Sequence, residues 1–370
     1  MKEGWEIKKL GEVCLVIAGQ SPEGKYYNTN GNGLPFYQGK KEFTDKYIGE
    51  PTTWTSKVTK QALKNDILIS VRAPVGPINF CTQKICIGRG LAAIRTSNLI
   101  DKEFLFNFLI NNEKEIIGNS GAVFNSISKI QIESMKIPIP PIPEQHRIVS
   151  ILDQAFAAIA KAKENTEKNL QNTKKLFESE LQKVFANKDD GWKDKTLNQI
   201  SDNLDSKRVP ITKNVRSGGS IPYYGASGIV DYVADYIFDE DLLCVSEDGA
   251  NLLARTYPIA FSIKGKTWVN NHAHILRFKN MVTQKFIELY LNSIKLDDFI
   301  SGMAQPKLNQ AMLNKIPIPF PSLSEQQTIV AKLDTLSAET KRLEAIYQQK
   351  LNNLEELKKS ILQKAFSGEL

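Results

Sequence analysis

Part of this chain is written twice at a constant spacing, and nothing else constrains its fold as much. Glu144-Gln145 recurs as Glu325-Gln326, 181 positions later; at the same offset Ile148-Val149 becomes Ile329-Val330 and Leu152-Asp153 becomes Leu333-Asp334. Leu170, Asn172, Leu176 and Ser179 meet Leu351, Asn353, Leu357 and Ser360, and the segment closes with Leu181-Gln182-Lys183 and Phe185 against Leu362-Gln363-Lys364 and Phe366. About 43 residues repeat without a gap. A proline-rich phrase precedes each copy, KIPIPPIPEQ from Lys136 and KIPIPFPSLSEQ from Lys315. Upstream the match is looser. GWEIKKL from Gly4 answers GWKDKTL from Gly191 and LPFY from Leu34 answers IPYY from Ile221, both at an offset of 187, whereas NDILIS from Asn65 answers EDLLCVS from Glu240 at an offset near 175. A drifting offset means loops of unequal length; a constant one means a segment that admits no insertion. The order is globular, rigid, globular, rigid, with boundaries 1–141, 142–188, 189–322 and 323–370.

The rigid segments have the pattern of helices. Apolar or small residues fall at Ile148, Leu152, Ala155, Ile159, Ala162, Thr166, Leu170, Thr173 and Phe177, then at Ile329, Leu333, Leu336, Thr340, Leu343, Tyr347, Leu354, Leu357 and Ile361. Steps of three and four mark the seam of a coiled coil, with Leu152, Ile159, Leu176, Leu333, Leu343 and Leu357 as its expected leucine and isoleucine positions. Each helix is expected to start after its proline phrase, with Ser324 and Gln327 as a capping box at the second start, and to stop near Gly191 and Gly368. A 43-residue helix is about 64 Å long. Because domain termini usually lie close together, the segment between the helices is best accommodated if they pair antiparallel, which would put a globular domain at each end.

The globular segments mix signals. ILISV from Ile67, LAAIR from Leu91, LLCVS from Leu242 and AHILRF from Ala273 are short strand candidates, and FLFNFLI from Phe104 and KFIELYLNSI from Lys285 are short helices near each domain's end. The expected class is α+β: two pseudo-repeated domains of about 140 residues, separated by a long antiparallel helix pair.

Lys and Arg total 48 against 41 Asp and Glu, for a net charge of +7, a balance that suits a polyanionic partner without requiring one. The four cysteines, Cys14, Cys81, Cys86 and Cys244, form no C-x-x-C pair, so neither a zinc ribbon nor a disulfide framework is indicated. With no apolar leader and no run long enough to cross a bilayer, the expectation is a soluble cytoplasmic protein without a membrane partner.

No catalytic motif stands out. The Pro140-Pro141 pair lies between Ile139 and Ile142, so it cannot be the Asn/Asp-Pro-Pro-aromatic motif that an adenine methyltransferase needs. Gly265-Lys266-Thr267 lacks the upstream glycine of a P-loop, where Ala260 stands. Gly88-Arg89-Gly90 leads into a strand rather than a helix. His272 and His274 would face one side of a strand, with no obvious carboxylate or thiol to complete a metal site, so a structural or base-contacting role is preferred. Glu247-Asp248 has no nuclease lysine nearby and reads as a solvated turn. No metal and no cofactor are expected in this chain.

With the repeat, the KIPIPPIPEQHRIVSILD phrase, GAVFNSIS from Gly121, KLGEV near the start and the closing ILQKAFSGEL, the chain resembles the specificity subunits of type I restriction-modification enzymes over essentially its whole length. The second copy departs in having Ser324-Glu325-Gln326 where the first has Pro-Glu-Gln. The resemblance implies a non-catalytic subunit whose two target-recognition domains each read half of a split double-stranded DNA target in the major groove. It also implies two modification (methyltransferase) subunits that bind S-adenosylmethionine and dock on the spacer helices, joined by motor and restriction subunits. Because the two readers differ in sequence, the target should be asymmetric. The alternative is a coiled-coil adaptor whose end domains bind proteins.

Basic, amide and aromatic residues on variable loops are the candidates for phosphate and base contacts. In the first domain they are Lys25, Tyr26, Lys40, Lys41, Arg72, Arg89 and Asn125; in the second, Lys207, Arg208, Arg216, Tyr223, Tyr224, Arg255, Lys266 and His272. For each, the alternative is an ordinary solvated side chain. Arg72 and Arg89 rank first, because each stands beside glycine or proline at the end of an expected strand.

Overall fold

Ile67 and Ile69 pack into one hydrophobic core while Leu68, between them, packs into another. Alternate residues of a strand face opposite sides, so a strand covered on both faces reads as an unbroken apolar run. That is why ILIS and LAAI show no polar alternation: Ala92 and Ile94 join the first core, Leu91 and Ala93 the second. The computed structural model describes residues 4–113, 116, 126–186, 191–302 and 304–370. The chain divides into two units, Met1–Thr166 with Gln349–Leu370, and Glu167–Gln348.

In the first unit the central sheet is antiparallel, in the order Cys14–Ala18, Leu91–Thr96, Ile67–Ser70, Ile78–Phe80. The helix Lys102–Asn111 packs against it, its start capped by the Asp101 carboxylate, which accepts from the backbone N–H groups of Glu103 and Phe104. A second sheet, of five short strands, follows, in which Leu34–Tyr37 runs parallel to Ile85–Ile87. The strand Lys136–Ile139, from the proline phrase, pairs with Glu6–Lys9. Its one proline, Pro138, fits this short two-stranded ribbon, where few ladder bonds are needed.

The second unit repeats this plan. Its sheet runs Ser201–Asn203, Ala273–Phe278, Leu242–Ser246, Ala260–Ile263, the helix Met281–Ser293 is capped by Asn280, and Gly218–Gly225 runs parallel to Lys266–Val269. Ile318–Phe320 pairs with Lys193–Lys195. The ladder registers superpose the two units residue by residue. Leu15 faces Arg95 as Asp202 faces Arg277, so Ala18 and Ala92 in the first unit correspond to Asp205 and His274 in the second. Val71 donates to the Gly90 carbonyl as Glu247 donates to that of His272, so Arg72 corresponds to Asp248, Arg89 to Asn271 and Gly90 to His272.

The repeated glutamine explains why the long helices start where they do. Gln145 is buried; its amide donates to the carbonyls of Leu99 and Pro140 and accepts from the Asp101 N–H. Gln326 is buried likewise, donating to the Pro321 carbonyl and accepting from the Thr283 hydroxyl. Gln145 thus ties its long helix to the cap of the helix Lys102–Asn111, and Gln326 ties its own to the first turn of the helix Met281–Ser293. The helices span Ile142–Ala186 and Leu323–Ser367. The second start is capped by Ser322 with Glu325, not by Ser324 with Gln327 as expected. The helix begins at Leu323, which makes Ser322 the residue before it and Glu325 the third within it.

Within each unit the two helices run antiparallel. In the first, Ile148 and Leu152 pack with Leu362 and Ala365, Lys163 pairs with Glu355 at 2.9 Å, and Phe366 sets its ring edge-on to Phe104 and Phe108. In the second, Leu181, Phe185 and Leu333 share a core, and Lys332 lies 3.6 Å from Glu180. Leu152 and Leu333 are buried and Ile159 is half-buried, but Leu176, Leu343 and Leu357 stand outside the seam at 47, 39 and 47% exposure. From Thr340 the covered stripe steps four residues to Glu344 and then to Tyr347, and from Leu354 it steps to Lys358. The stems of these charged residues cover the seam. The leucine one position earlier is rotated about 100° away, so choosing positions by residue type selects the wrong face.

Candidate nucleic-acid interface

Of the chain's nine arginines, six are held by protein partners. Arg95 forks onto Asp66, Arg147 onto Glu144 and Arg277 onto Glu240. Arg208, Arg216 and Arg255 are bonded within the second unit. Among the described residues only Arg72, Arg89 and Arg342 have side chains with no such partner. Arg72 and Arg89, both exposed, line one concave cleft of about 280 Å³ with Gln38, Lys40, Ser70 and Gly90.

The loops around this cleft come very close together. A Cβ on Gly19 would stand 2.1 Å from the Gly88 carbonyl oxygen, and one on Gly90 would stand 2.4 Å from that of Gln38, so only glycine fits at either position. The Arg89 N–H donates to the Ser21 hydroxyl, which in turn donates to the Gln38 side-chain oxygen. Arg89 is thus anchored through its backbone while its guanidinium stays open. Gln38 is exposed, and its side-chain oxygen accepts this one bond. Elsewhere on this unit Lys25 and Lys57 flank the Tyr26 ring at 5.2 and 5.0 Å, Lys25 pairs with Glu23, and Lys41 is exposed. Asn125 lies outside the described residues.

In the second unit several of the expected contact residues have partners within the protein. Tyr223 is buried and its hydroxyl meets the backbone of Ile211. Arg216 stacks on the Tyr223 ring at 4.3 Å and pairs with Asp231. Arg255, in the left-handed region at φ 53°, donates to the carbonyls of Leu291 and Ile294 behind the helix Met281–Ser293. Tyr224 is half-buried against Phe261. Lys207 and Lys266 are exposed, Lys266 beside the Tyr236 ring.

Arg208, only 14% exposed, belongs to a buried charge network. Its guanidinium bonds Glu247 at 2.5 Å and lies 3.5 Å from Asp205; His274 bonds Asp205 through Nδ1 at 2.6 Å and the Leu308 carbonyl through Nε2 at 2.7 Å; Lys307 reaches Glu247 at 3.2 Å. Glu247 is therefore buried and paired, not part of a solvated turn, and carboxylates do gather at His274, from positions distant in sequence. Ligand atoms of Asp205, Glu247 and His274 lie within 4.8 Å of one another, yet the group does not suit a metal. Arg208 and Lys307 already neutralise the carboxylates, and both imidazole nitrogens are already engaged, Nδ1 by Asp205 and Nε2 by the Leu308 carbonyl. Burial disfavours the Asp205 carboxylate, but the His274 hydrogen bond, the Ile275 N–H and Arg208 outweigh it and hold its pKa below the usual value. Glu247 is lowered in the same way, against burial, by Arg208, His274 and Lys307. At the corresponding positions the first unit has Ala18, Val71 and Ala92.

His272 does not share the surroundings of His274. It precedes the strand and is 49% exposed, with Nδ1 2.9 and 3.0 Å from the two Asp248 oxygens. At this rim the second unit presents Asp248, Asn271 and His272 where the first has Arg72, Arg89 and Gly90. Reading by residue type missed Gln38, Ser21, Asp248, Asn271 and Lys307. The closely set glycines at 19, 88 and 90 were the available signal for the first cleft; Asn271 carried none.

A family model described as type I restriction modification DNA specificity domain matches residues 2–170 and again 189–356. Among curated relatives, a putative type I restriction enzyme MjaX specificity subunit of Methanocaldococcus jannaschii is 44% identical over 45% of this chain and 40% of its own length. The putative specificity subunit S.HindORF215P of Haemophilus influenzae is 33% identical over 49% of this chain and 51% of its own length; the chain thus spans about half the length of these two relatives. The EcoDI specificity subunit of Escherichia coli is 23% identical over 99% of this chain and 88% of its own. Two solved structures share the fold at 20% identity. A chain from a study of the assembly and conformational transition of the type I R-M system has a TM-score of 0.81, covering 100% of this chain and 99% of its own. The HsdS subunit from Thermoanaerobacter tengcongensis has a TM-score of 0.66, covering 100% and 98%.

Proposed function

The chain belongs to the family of type I restriction-modification DNA specificity domains, and from that membership we propose that it reads a bipartite, asymmetric DNA target for a modification and restriction complex. Residues 1–141 and 189–322 serve as the two target-recognition domains, and 142–188 and 323–370 as the spacer helices. The observation that carries this reading is one strand plan used twice with unlike side chains at the same rim: Arg72 and Arg89 in one copy, Asp248 and Asn271 in the other. A common scaffold with different rims suits two readers of different half-sites.

Methyl transfer belongs to two modification subunits that bind S-adenosylmethionine, with restriction subunits joining through them; this chain contributes sequence choice and assembly. Leu176 and Leu357, equivalent in the repeat and equally exposed, offer the same apolar contact twice, which supports docking of two copies of one partner. A chromosomal target makes the cytoplasm the place of action; among the described residues no helix is long and apolar enough to cross a membrane. Lys25, Tyr26, Lys40, Lys41, Lys207, Lys266 and His272 remain proposed DNA contacts beside Arg72 and Arg89.

The test is methylome mapping in cells with and without this gene, joined to a gel shift of the purified complex. A single split, asymmetric motif that vanishes with the gene is the expected result. No gene-dependent motif, with no DNA shift, would leave the protein-binding adaptor as the better reading.

A further inference from the structure

We infer that recognition of guanine by an arginine fork is confined to one half-site, the one read by the first domain, and that Arg72 and Arg89 carry it. The inference rests on the DNA reading above. The charged groups lining the cleft between these residues are all donors. Among the described residues Arg72 and Arg89 have no side-chain partner, Lys40 stands beside them, and the Gln38 side-chain oxygen already accepts one bond from Ser21. In the major groove guanine presents two acceptors, N7 and O6, which an arginine fork matches bidentately; adenine and cytosine each present an amino donor. An amino group in this cleft would meet the cationic donors Arg72, Arg89 and Lys40, so the charged lining favours the acceptor pair of guanine.

Position favours base reading over phosphate anchoring. Arg89 is held by a hydrogen-bonded backbone in a loop of close-packed glycines, a fixed mounting that suits geometric readout. Flexible exposed lysines outside the cleft, Lys25, Lys41 and Lys57 among them, suffice for the backbone charge. In the second domain the superposed positions are Asp248 and Asn271, and the nearby Arg208 is consumed by Glu247 and Asp205. Among the described residues, Arg208, Arg216, Arg255 and Arg277 of that domain all have protein partners.

The experiment uses the methyltransferase assembled from the full chain and its modification subunits, on a short duplex carrying the mapped target. Replacing guanine by 7-deazaguanine, one half-site at a time, removes the N7 acceptor. Wild-type binding should weaken about 10- to 100-fold for one half-site. R72A/R89A should show a loss of similar size on natural DNA, no further loss on the analogue, and relaxed sequence choice in that half alone. R89K, which keeps the charge but not the fork, should lose guanine preference while retaining affinity for non-specific DNA. If the variants weaken binding equally on all sequences and keep full sensitivity to 7-deazaguanine, the arginines hold phosphates and the inference falls, with the DNA reading intact. A wild-type complex that shows no sequence preference overturns both.

Discussion

Gln145 accepts the backbone N–H of Asp101 at 2.7 Å across 44 positions of sequence, while its own amide donates to the carbonyls of Leu99 and Pro140. One side chain thereby satisfies three backbone groups where the first long helix meets the short helix before it. Gln145→Leu would strand those groups in a buried site and should lower stability by about 2 kcal/mol or more. Gln326→Leu, which breaks two bonds, should cost less. Urea unfolding midpoints of the two variants test the ranking.

The seam separates two leucines that look alike in sequence. Leu333→Asp places a charge in a closed core and should cost about 3 kcal/mol or more, visible as a large fall in Tm. Leu357→Asp, at an exposed position, should shift the chain's own stability by no more than about 0.5 kcal/mol yet weaken assembly with the modification subunits. Equal melting losses for both would mean that Leu357 is buried after all.

Acid should act on the second unit through Asp205 and Glu247. Both pKa values are lowered in the folded chain, so the unfolded chain binds more protons. The stabilisation is full above about pH 4 to 5 and is lost as the pH falls through the folded values. Glu247→Gln should reduce the slope of stability against pH below 5, measured as urea midpoints from pH 7 to pH 3. Arg208→Ala, which leaves the carboxylates short of a cation, should cost about 3 kcal/mol or more at neutral pH.

Thiol chemistry offers a simple check on the cores. All four cysteines are buried and free, and burial pushes the Cys14 and Cys81 thiols up to about 12. Thiolate is the reactive form, so at pH 8 both should resist alkylation in the native chain and react readily after denaturation. Mass spectrometry of native and denatured samples reads this directly; fast native labelling at Cys14 or Cys81 would contradict the packing.

What the amino-acid order determined alone was whatever depends on local periodicity and repetition. The gapless 181-residue offset and its three-and-four steps identified two long helices, and the apolar runs from Ile67 and Leu242 identified short strands, because a helix or strand repeats its burial at a fixed step. Tertiary structure decided what depends on distance through space. It buried Tyr223 and assigned Arg208 to Glu247, although both are polar residues in loop-like sequence. It brought Asp205 to His274 across 69 positions, and it turned Leu343 and Leu357 away from the seam their residue type suggested. It also set Arg72 and Arg89 around one cleft, with no side-chain partner among the described residues, since whether a charged side chain serves the fold or faces a ligand depends on which groups the folded chain brings within its reach.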